Sequence, residues 1–111
     1  MSGFSDLQRE AMKIRLRYNE LNKKHGHKPW DGSAYAMGIV GDIGDLLKLV
    51  MAKENLRDVN AGGDVVTLLR HEMGDCLWSL FVLAEHYGID LKDAFLGTMA
   101  ELEVRIADGQ E

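Results

Sequence analysis

The fold is decided by residues 37–51, which read MGIVGDIGDLLKLVM. Apolar side chains occupy several faces of a helix drawn through this stretch, so the helix must be covered on more than one side. We therefore predict a central helix over residues 34–54, with Ser33 as its N-cap. Residues 68–83, LLRHEMGDCLWSLFVL, predict a second helix of this kind, which starts after the N-cap Asp64, runs to Tyr87 and ends before Gly88.

Outer helices are predicted on either side of this central pair. Residues 5–25 form one apolar stripe with spacings of three and four, and the other faces are charged. The stripe consists of Leu7, Ala11, Ile14, Tyr18 and Leu21. Asp90 begins a last helix, whose inward-facing residues are predicted to be Leu91, Ala94, Phe95, Thr98, Met99, Leu102 and Ile106. Loops are predicted over residues 26–33 and 55–63, and residues 108–111 should fray.

Composition agrees with a single all-α domain. No segment shows strand-like alternation, so we predict a four-helix-bundle-like fold over residues 1–111. A net charge of −5 makes nucleic-acid polymers poor partners. No apolar run approaches the roughly 20 residues that span a bilayer, and the N-terminus lacks a signal-peptide pattern, so a cytoplasmic protein without a membrane partner is expected. The lone Cys76 cannot form an internal disulfide and is predicted to fill an apolar position.

One short pattern occurs on both central helices. Residues 42–45 read DIGD and residues 72–75 read EMGD, and in each the two acids are three residues apart and share a helical face. Apolar residues adjoin these faces, so the acids should be partly enclosed. Glycine inside a helix costs roughly 1 kcal/mol relative to alanine, so interior glycines indicate a close approach by another helix, a ligand or a metal cluster. These glycines are Gly38, Gly41, Gly44 and Gly74.

The four acids predict a divalent-metal site. If the central helices pack antiparallel, the acids meet near the middle of the bundle and repel one another unless a cation neutralises them. The predicted ligands are Asp42, Asp45, Glu72 and Asp75. Ligation by carboxylate oxygens alone favours Mg²⁺, with Mn²⁺ as the alternative, whereas zinc favours nitrogen or sulfur. His71 lies on a different face and is interpreted as a surface or supporting residue.

A site of this kind favours a phosphate-containing substrate, because phosphate oxygens complete the coordination of Mg²⁺. The sequence has no glycine-rich phosphate loop, so basic residues and the metal would hold a triphosphate. Lys48 and Lys53 are the candidate contacts, with an exposed surface charge as the alternative for each. Trp30 is a candidate for stacking on a nucleobase, with a core position as its alternative.

The same residues carry a family resemblance. Residues 41–46, GDIGDL, and residues 72–75, EMGD, are similar to paired E-x-x-E and E-x-x-D motifs, and residues 77–95, LWSLFVLAEHYGIDLKDAF, look like the hydrophobic helix and turn that follow them. Over about residues 30–102 the chain thus resembles the MazG-like branch of the all-α nucleoside triphosphate pyrophosphatases. The resemblance implies hydrolysis to monophosphate and pyrophosphate, Mg²⁺ as cofactor, and metal-ligating and catalytic roles for Asp42, Asp45, Glu72 and Asp75.

The resemblance also implies a helical bundle that dimerises, which agrees with two central helices too apolar for one chain to cover. We therefore expect a homodimer or a larger assembly. The chain departs from the family in its first pair, which is Asp-x-x-Asp, and in residues 97–102, GTMAEL, which lack the basic residues of several relatives. Two alternatives stay open: a catalytically weakened module that binds nucleotide or a protein partner, and an enzyme like phosphoribosyl-ATP pyrophosphatase.

Overall fold

The computed structural model describes residues 3–28, 30–55 and 64–109. This part of the chain forms four α-helices and no strand, which confirms the predicted all-α fold. The helices are α1 (Phe4–Lys24), α2 (Gly32–Lys53), α3 (Val65–His86) and α4 (Leu91–Ala107). The predicted loop over 55–63 lies outside the described residues except for its first position, as do residues 110 and 111 of the predicted frayed end.

Aspartate caps fix the starts of three helices. Asp31, Asp64 and Asp90 each accept a hydrogen bond from the backbone N–H three residues later, which satisfies one free donor of the first turn. The caps predicted at Asp64 and Asp90 are confirmed. The cap predicted at Ser33 was wrong, because Asp31 already caps α2 and the helix begins at Gly32. Gly88 follows the end of α3 with a left-handed φ of 65°, as expected for a residue that stops a helix.

Helices α2 and α3 pack along each other in opposite directions. Tyr35 near the start of α2 meets His86 at the end of α3, with ring centroids 5.8 Å apart. Further along, the Asp42 carboxylate on α2 meets Ser79 of α3. At the start of α2 the Tyr87 hydroxyl lies against Gly32, where a side chain on residue 32 would collide with it. Antiparallel packing of the two central helices, the condition under which the acids were expected to meet, is therefore observed.

Helix α1 packs against this pair and completes the core. The indole Nε1 of Trp78 donates to the Ala11 carbonyl at 3.0 Å, and the rings of Phe4 and Phe81 lie 5.1 Å apart. The buried apolar side chains belong to α1, α2 and α3: Ala11, Tyr35, Ala52, Phe81, Val82 and Ala84. Of the predicted α1 stripe only Ala11 is buried, because α1 lies on its neighbours along an adjacent face.

Helix α4 does not pack into this core. Every residue of α4 is exposed except Leu91, which is half-buried. The prediction that seven of its residues face inward was therefore wrong for a single chain, since Phe95 is 58% and Ile106 is 73% exposed. Their spacing does place them on one side of α4, but no described element of the same chain covers that side. Across the described residues, no helix combines the length and apolar character needed to cross a membrane.

Candidate metal centre

Three carboxylates converge where α2 packs on α3. Asp42 comes from α2, and Glu72 and Asp75 come from α3, where a spacing of three residues places them on one face. One oxygen from each carboxylate lies within 4.8 Å of the other two, and all three side chains are half-buried. Like charges at this separation repel one another strongly in a partly desolvated site, so the arrangement favours a cation or a proton between them.

Glu72 is the member of the group whose buried oxygen lacks a hydrogen bond. Its Oε2 is buried, and no described residue gives it a hydrogen bond. Burial raises the pKa of Glu72 above its ordinary value of 4.5, and the neighbouring charges of Asp75, Asp45 and Asp42 raise it further, while His71 opposes them. A buried, unpartnered oxygen in a set of carboxylate donors fits a hard divalent cation, which prefers such ligands. The observed chemistry of the group is therefore compatible with Mg²⁺ or Mn²⁺.

The other two carboxylates have partners of different kinds. The Ser79 hydroxyl donates to Asp42 Oδ2 at 3.1 Å from within the core, where Ser79 is 6% exposed. His71 Nε2 lies 3.2 Å from Asp75 Oδ2 at the surface. The supporting position interpreted for His71 matches this contact. Ser79 was missed by the sequence reasoning, although its place two turns after Glu72 in an apolar helix could have drawn attention to it.

The fourth predicted ligand, Asp45, lies outside the group of three. Its side chain is 59% exposed, and Lys48 Nζ lies 4.0 Å from its Oδ1. Lys48 is exposed to a similar degree, and Lys53 is exposed at the C-terminal end of α2. The structure thus brings together three of the four predicted ligands, and it places both predicted lysine contacts on the surface of α2.

A cavity of about 440 Å³ adjoins the acids. It is lined by Ile14, Tyr18, Trp30, Asp42, Asp75 and Trp78. The ring of Tyr18 lies 5.7 Å from those of both Trp30 and Trp78, so three aromatic side chains form one wall beside two carboxylates. Trp30 was the predicted stacking residue. Tyr18 and Trp78 were not singled out, because in sequence they read as apolar positions of α1 and α3.

Cys76 lies next to the acids, and its thiol is held in the protonated form. It is half-buried, and burial, followed by the charges of Asp42, Glu72 and Asp75, raises the pKa of its thiol above the ordinary 9.0. The thiol therefore stays protonated near neutral pH, since the thiolate is the reactive form. This agrees with the apolar role predicted for Cys76.

The interior glycines of α2 and α3 are not explained by close packing among the described residues. A Cβ atom added at any of them would meet no atom within 4 Å beyond its own helix turn. These are Gly38, Gly41, Gly44 and Gly74. Among the described residues, no other helix makes the predicted close approach to these positions.

Comparison with known proteins identifies one family. The family model described as the MazG nucleotide pyrophosphohydrolase domain matches residues 39–108. The matched range contains the three converging carboxylates and both interior turns that carry them, while Tyr18 and Trp30 precede it. A search of curated proteins finds no match to this chain.

Proposed function

The chain belongs to the MazG nucleotide pyrophosphohydrolase family, and we propose that it hydrolyses nucleoside triphosphates to nucleoside monophosphate and pyrophosphate with Mg²⁺ as cofactor. The observation that carries this proposal is the convergence of Asp42, Glu72 and Asp75 across the α2–α3 interface, inside the matched residues. The cytoplasm, as the compartment that holds nucleoside triphosphates, is the proposed location.

The residues at this site have different proposed roles. Asp42, Glu72 and Asp75 would hold the cation, and Asp45, one turn from Asp42, is proposed as the fourth ligand at the solvent-exposed rim. When bound, Mg²⁺ supplies positive charge that offsets the charge of the phosphates and favours attack by water on phosphorus. Lys48, whose ammonium lies beside Asp45, and Lys53 have exposed side chains and are proposed to contact the outer phosphates.

The aromatic wall gives the nucleobase a place beside the acids. Bases of every kind have a face that stacks on aromatic rings, and the rings of Tyr18, Trp30 and Trp78 lie around one cavity. Asp42 and Asp75 line the same cavity, so a nucleoside seated there would have its phosphates next to the carboxylates. We propose that this cavity binds the nucleoside part of the substrate.

A homodimer or larger assembly is part of the proposal. The radius of gyration of 17.1 Å exceeds the roughly 13 Å expected for a compact chain of this length. The accessible surface of 8548 Å² also exceeds the roughly 6,100 Å² expected for a monomer of this mass. The excess is of the size that stable protein–protein interfaces remove from solvent. A second copy of the chain is the simplest cover for the exposed apolar residues of α2, α3 and α4.

Turnover of the purified full chain tests the proposed reaction. The chain is incubated with each common nucleoside triphosphate and Mg²⁺, and products are separated by ion-exchange chromatography. We expect monophosphate and pyrophosphate in equal amounts, and no turnover with EDTA. Diphosphate and inorganic phosphate as primary products would overturn the proposed cleavage position. Tight nucleotide binding without release of pyrophosphate would instead support the alternative of a binding module.

A further inference from the structure

Ser79 is the one buried polar residue among the described side chains, and its hydroxyl is directed out of its own helix. A serine inside a helix often returns its hydroxyl to a carbonyl one turn earlier. Here the hydroxyl instead crosses from α3 to α2 and donates to Asp42 Oδ2 at 3.1 Å. A buried hydroxyl is unfavourable without such a bond, so the contact with Asp42 accounts for a serine at this position.

The position of Ser79 relates it to the whole group of carboxylates. It follows Glu72 by seven residues and Asp75 by four, so the three side chains lie on neighbouring rows of α3. Asp42 lies opposite them on α2 and receives the hydroxyl on one oxygen. Asp42 also belongs, with Glu72 and Asp75, to the group of carboxylates placed to share a cation. A fixed hydrogen bond of this kind restricts rotation of the carboxylate about its last side-chain bond.

We propose that Ser79 is a positioning residue, which holds the Asp42 carboxylate in the orientation that binds the divalent cation. This inference rests on the proposed function. The two supported carboxylates are not equivalent: Ser79 is buried, whereas the His71 that contacts Asp75 is 73% exposed. Asp42 is therefore the preorganised ligand, and Asp75 is the ligand that can move. Hydrogen bonds behind metal ligands affect metal affinity in this way.

Binding of Mn²⁺ alone tests the role of Ser79 without any need for turnover. Free Mn²⁺ is measured by electron paramagnetic resonance during titration of the full chain. We expect Ser79→Ala to raise the dissociation constant for Mn²⁺ by roughly 10-fold or more, the range found when such supporting bonds are lost. Ser79→Thr keeps the hydroxyl and should bind within a few-fold of wild type. In the nucleotide assay, Ser79→Ala should require more Mg²⁺ for half-maximal rate.

A matched control removes a different hydroxyl from the same helix. Thr67 Oγ1 donates to Asp64 at 3.2 Å at the start of α3, away from the three carboxylates. Thr67→Ala should therefore leave Mn²⁺ binding unchanged. In an Asp42→Asn background, Ser79→Ala should add little further loss, because residues that act through one contact are not additive.

The outcomes separate this inference from the function on which it rests. Wild-type affinity for Mn²⁺ in Ser79→Ala would overturn the positioning role and leave the proposed function standing. Equal loss in Ser79→Ala and Ser79→Thr would also overturn it, because the shape of the side chain rather than its hydroxyl would then matter. Failure of the wild-type chain to bind Mn²⁺ would overturn the proposed function itself, and this inference with it.

Discussion

The two sides of the α2–α3 pair differ in chemistry and in what lies over them. One side carries Asp42 and Asp75, and the aromatic residues of the cavity lie next to them. The faces of the two helices that are turned away from these acids, which together we call the apolar side, carry Val40 and Leu47 on α2 and Met73 and Leu80 on α3. Each of these lies roughly 140–160° around its helix axis from Asp42 or Asp75. All four are exposed, and Val40 reaches 71%.

The difference shows which of the two sides is contacted by other elements of the same chain. The acidic side is supported from within, because Ser79, Trp78 and α1 surround it with hydrogen bonds and aromatic contacts. The apolar side has no described element over it, and its burial is favourable only when another surface removes it from water. The acids therefore depend on the fold of one chain, whereas the apolar side would be covered by the second copy that we propose.

The largest effect is expected from Asp75→Asn, which removes one negative charge from the acidic side. Turnover should fall by more than about 100-fold, since even the loss of a supporting bond behind a metal ligand costs roughly 10–100-fold in affinity or activity. In metal-free buffer the variant should be as stable as wild type or about 1 kcal/mol more stable, because one repelling charge is gone. With saturating Mg²⁺ the order should reverse. Thermal melts in EDTA and in Mg²⁺ measure both signs.

Two variants control this prediction. Asp93→Asn changes an exposed acid of α4 outside the group and should alter neither turnover nor the response to Mg²⁺. Asp45→Asn should reduce turnover less than Asp75→Asn, because Asp45 is 59% exposed and lies outside the three converging carboxylates. If Asp75→Asn keeps wild-type turnover and its Mg²⁺ response, the acidic side is a solvated surface and the proposed site is wrong.

The sequence predicted the helices of both sides but not what surrounds them. The bounds of α2 and α3 follow from local signals, namely apolar spacing, aspartate caps and Gly88, so the predictions fell within about two residues of the structure. The pairing of Asp42 with Glu72 and Asp75 also followed, since antiparallel packing joins two acidic faces. The all-α fold could be predicted from these local features alone.

The remaining features depend on how helices are rotated against each other. A spacing of three residues puts Asp42 and Asp45 on one face, yet only a particular rotation of α2 turns Asp42 inward and leaves Asp45 at the rim. The contact between Ser79 and Asp42 depends on the same rotation. The exposure of α4 could not be predicted, because its apolar spacing does not say whether the covering surface belongs to the same chain or to another.

The second-largest effect is expected from Leu47→Glu, which places a negative charge on the apolar side. A charge at the centre of that side should oppose association, because burying it without a partner is unfavourable. Light scattering should show wild type at twice the 12.4 kDa chain mass or more, and the variant near 12.4 kDa at micromolar concentration. Lys48→Glu changes the adjacent exposed residue and should leave the mass of the assembly unchanged. A wild-type mass near 12.4 kDa would contradict the proposed assembly.

A smaller effect concerns pH and Glu72. Its pKa in the folded chain is raised by burial and by its acidic neighbours, so the folded state holds this proton to higher pH than the unfolded state does. The unfolding free energy of metal-free protein should therefore fall as pH rises from 4.5 through the raised pKa. Denaturant titrations of wild type and Glu72→Gln across this range isolate the residue. A constant difference between the two proteins would show that Glu72 is not perturbed.

The smallest effect separates two glycines on opposite sides of α2. Gly38 lies one turn before Asp42, whereas Gly44 lies between Val40 and Leu47 on the apolar side. Among the described residues, no atom lies within 4 Å of the Cβ position of either glycine. Alanine at either position should stabilise an isolated helix by roughly 0.5–1 kcal/mol. If a second copy covers the apolar side closely, Gly44→Ala should raise the unfolding free energy of the assembled protein less than Gly38→Ala does. In a Leu47→Glu background, in which we expect a monomer, the two gains in unfolding free energy should become equal. Equal gains in the assembled protein would place the contact between copies elsewhere, on α4 or along the exposed stripe of α1.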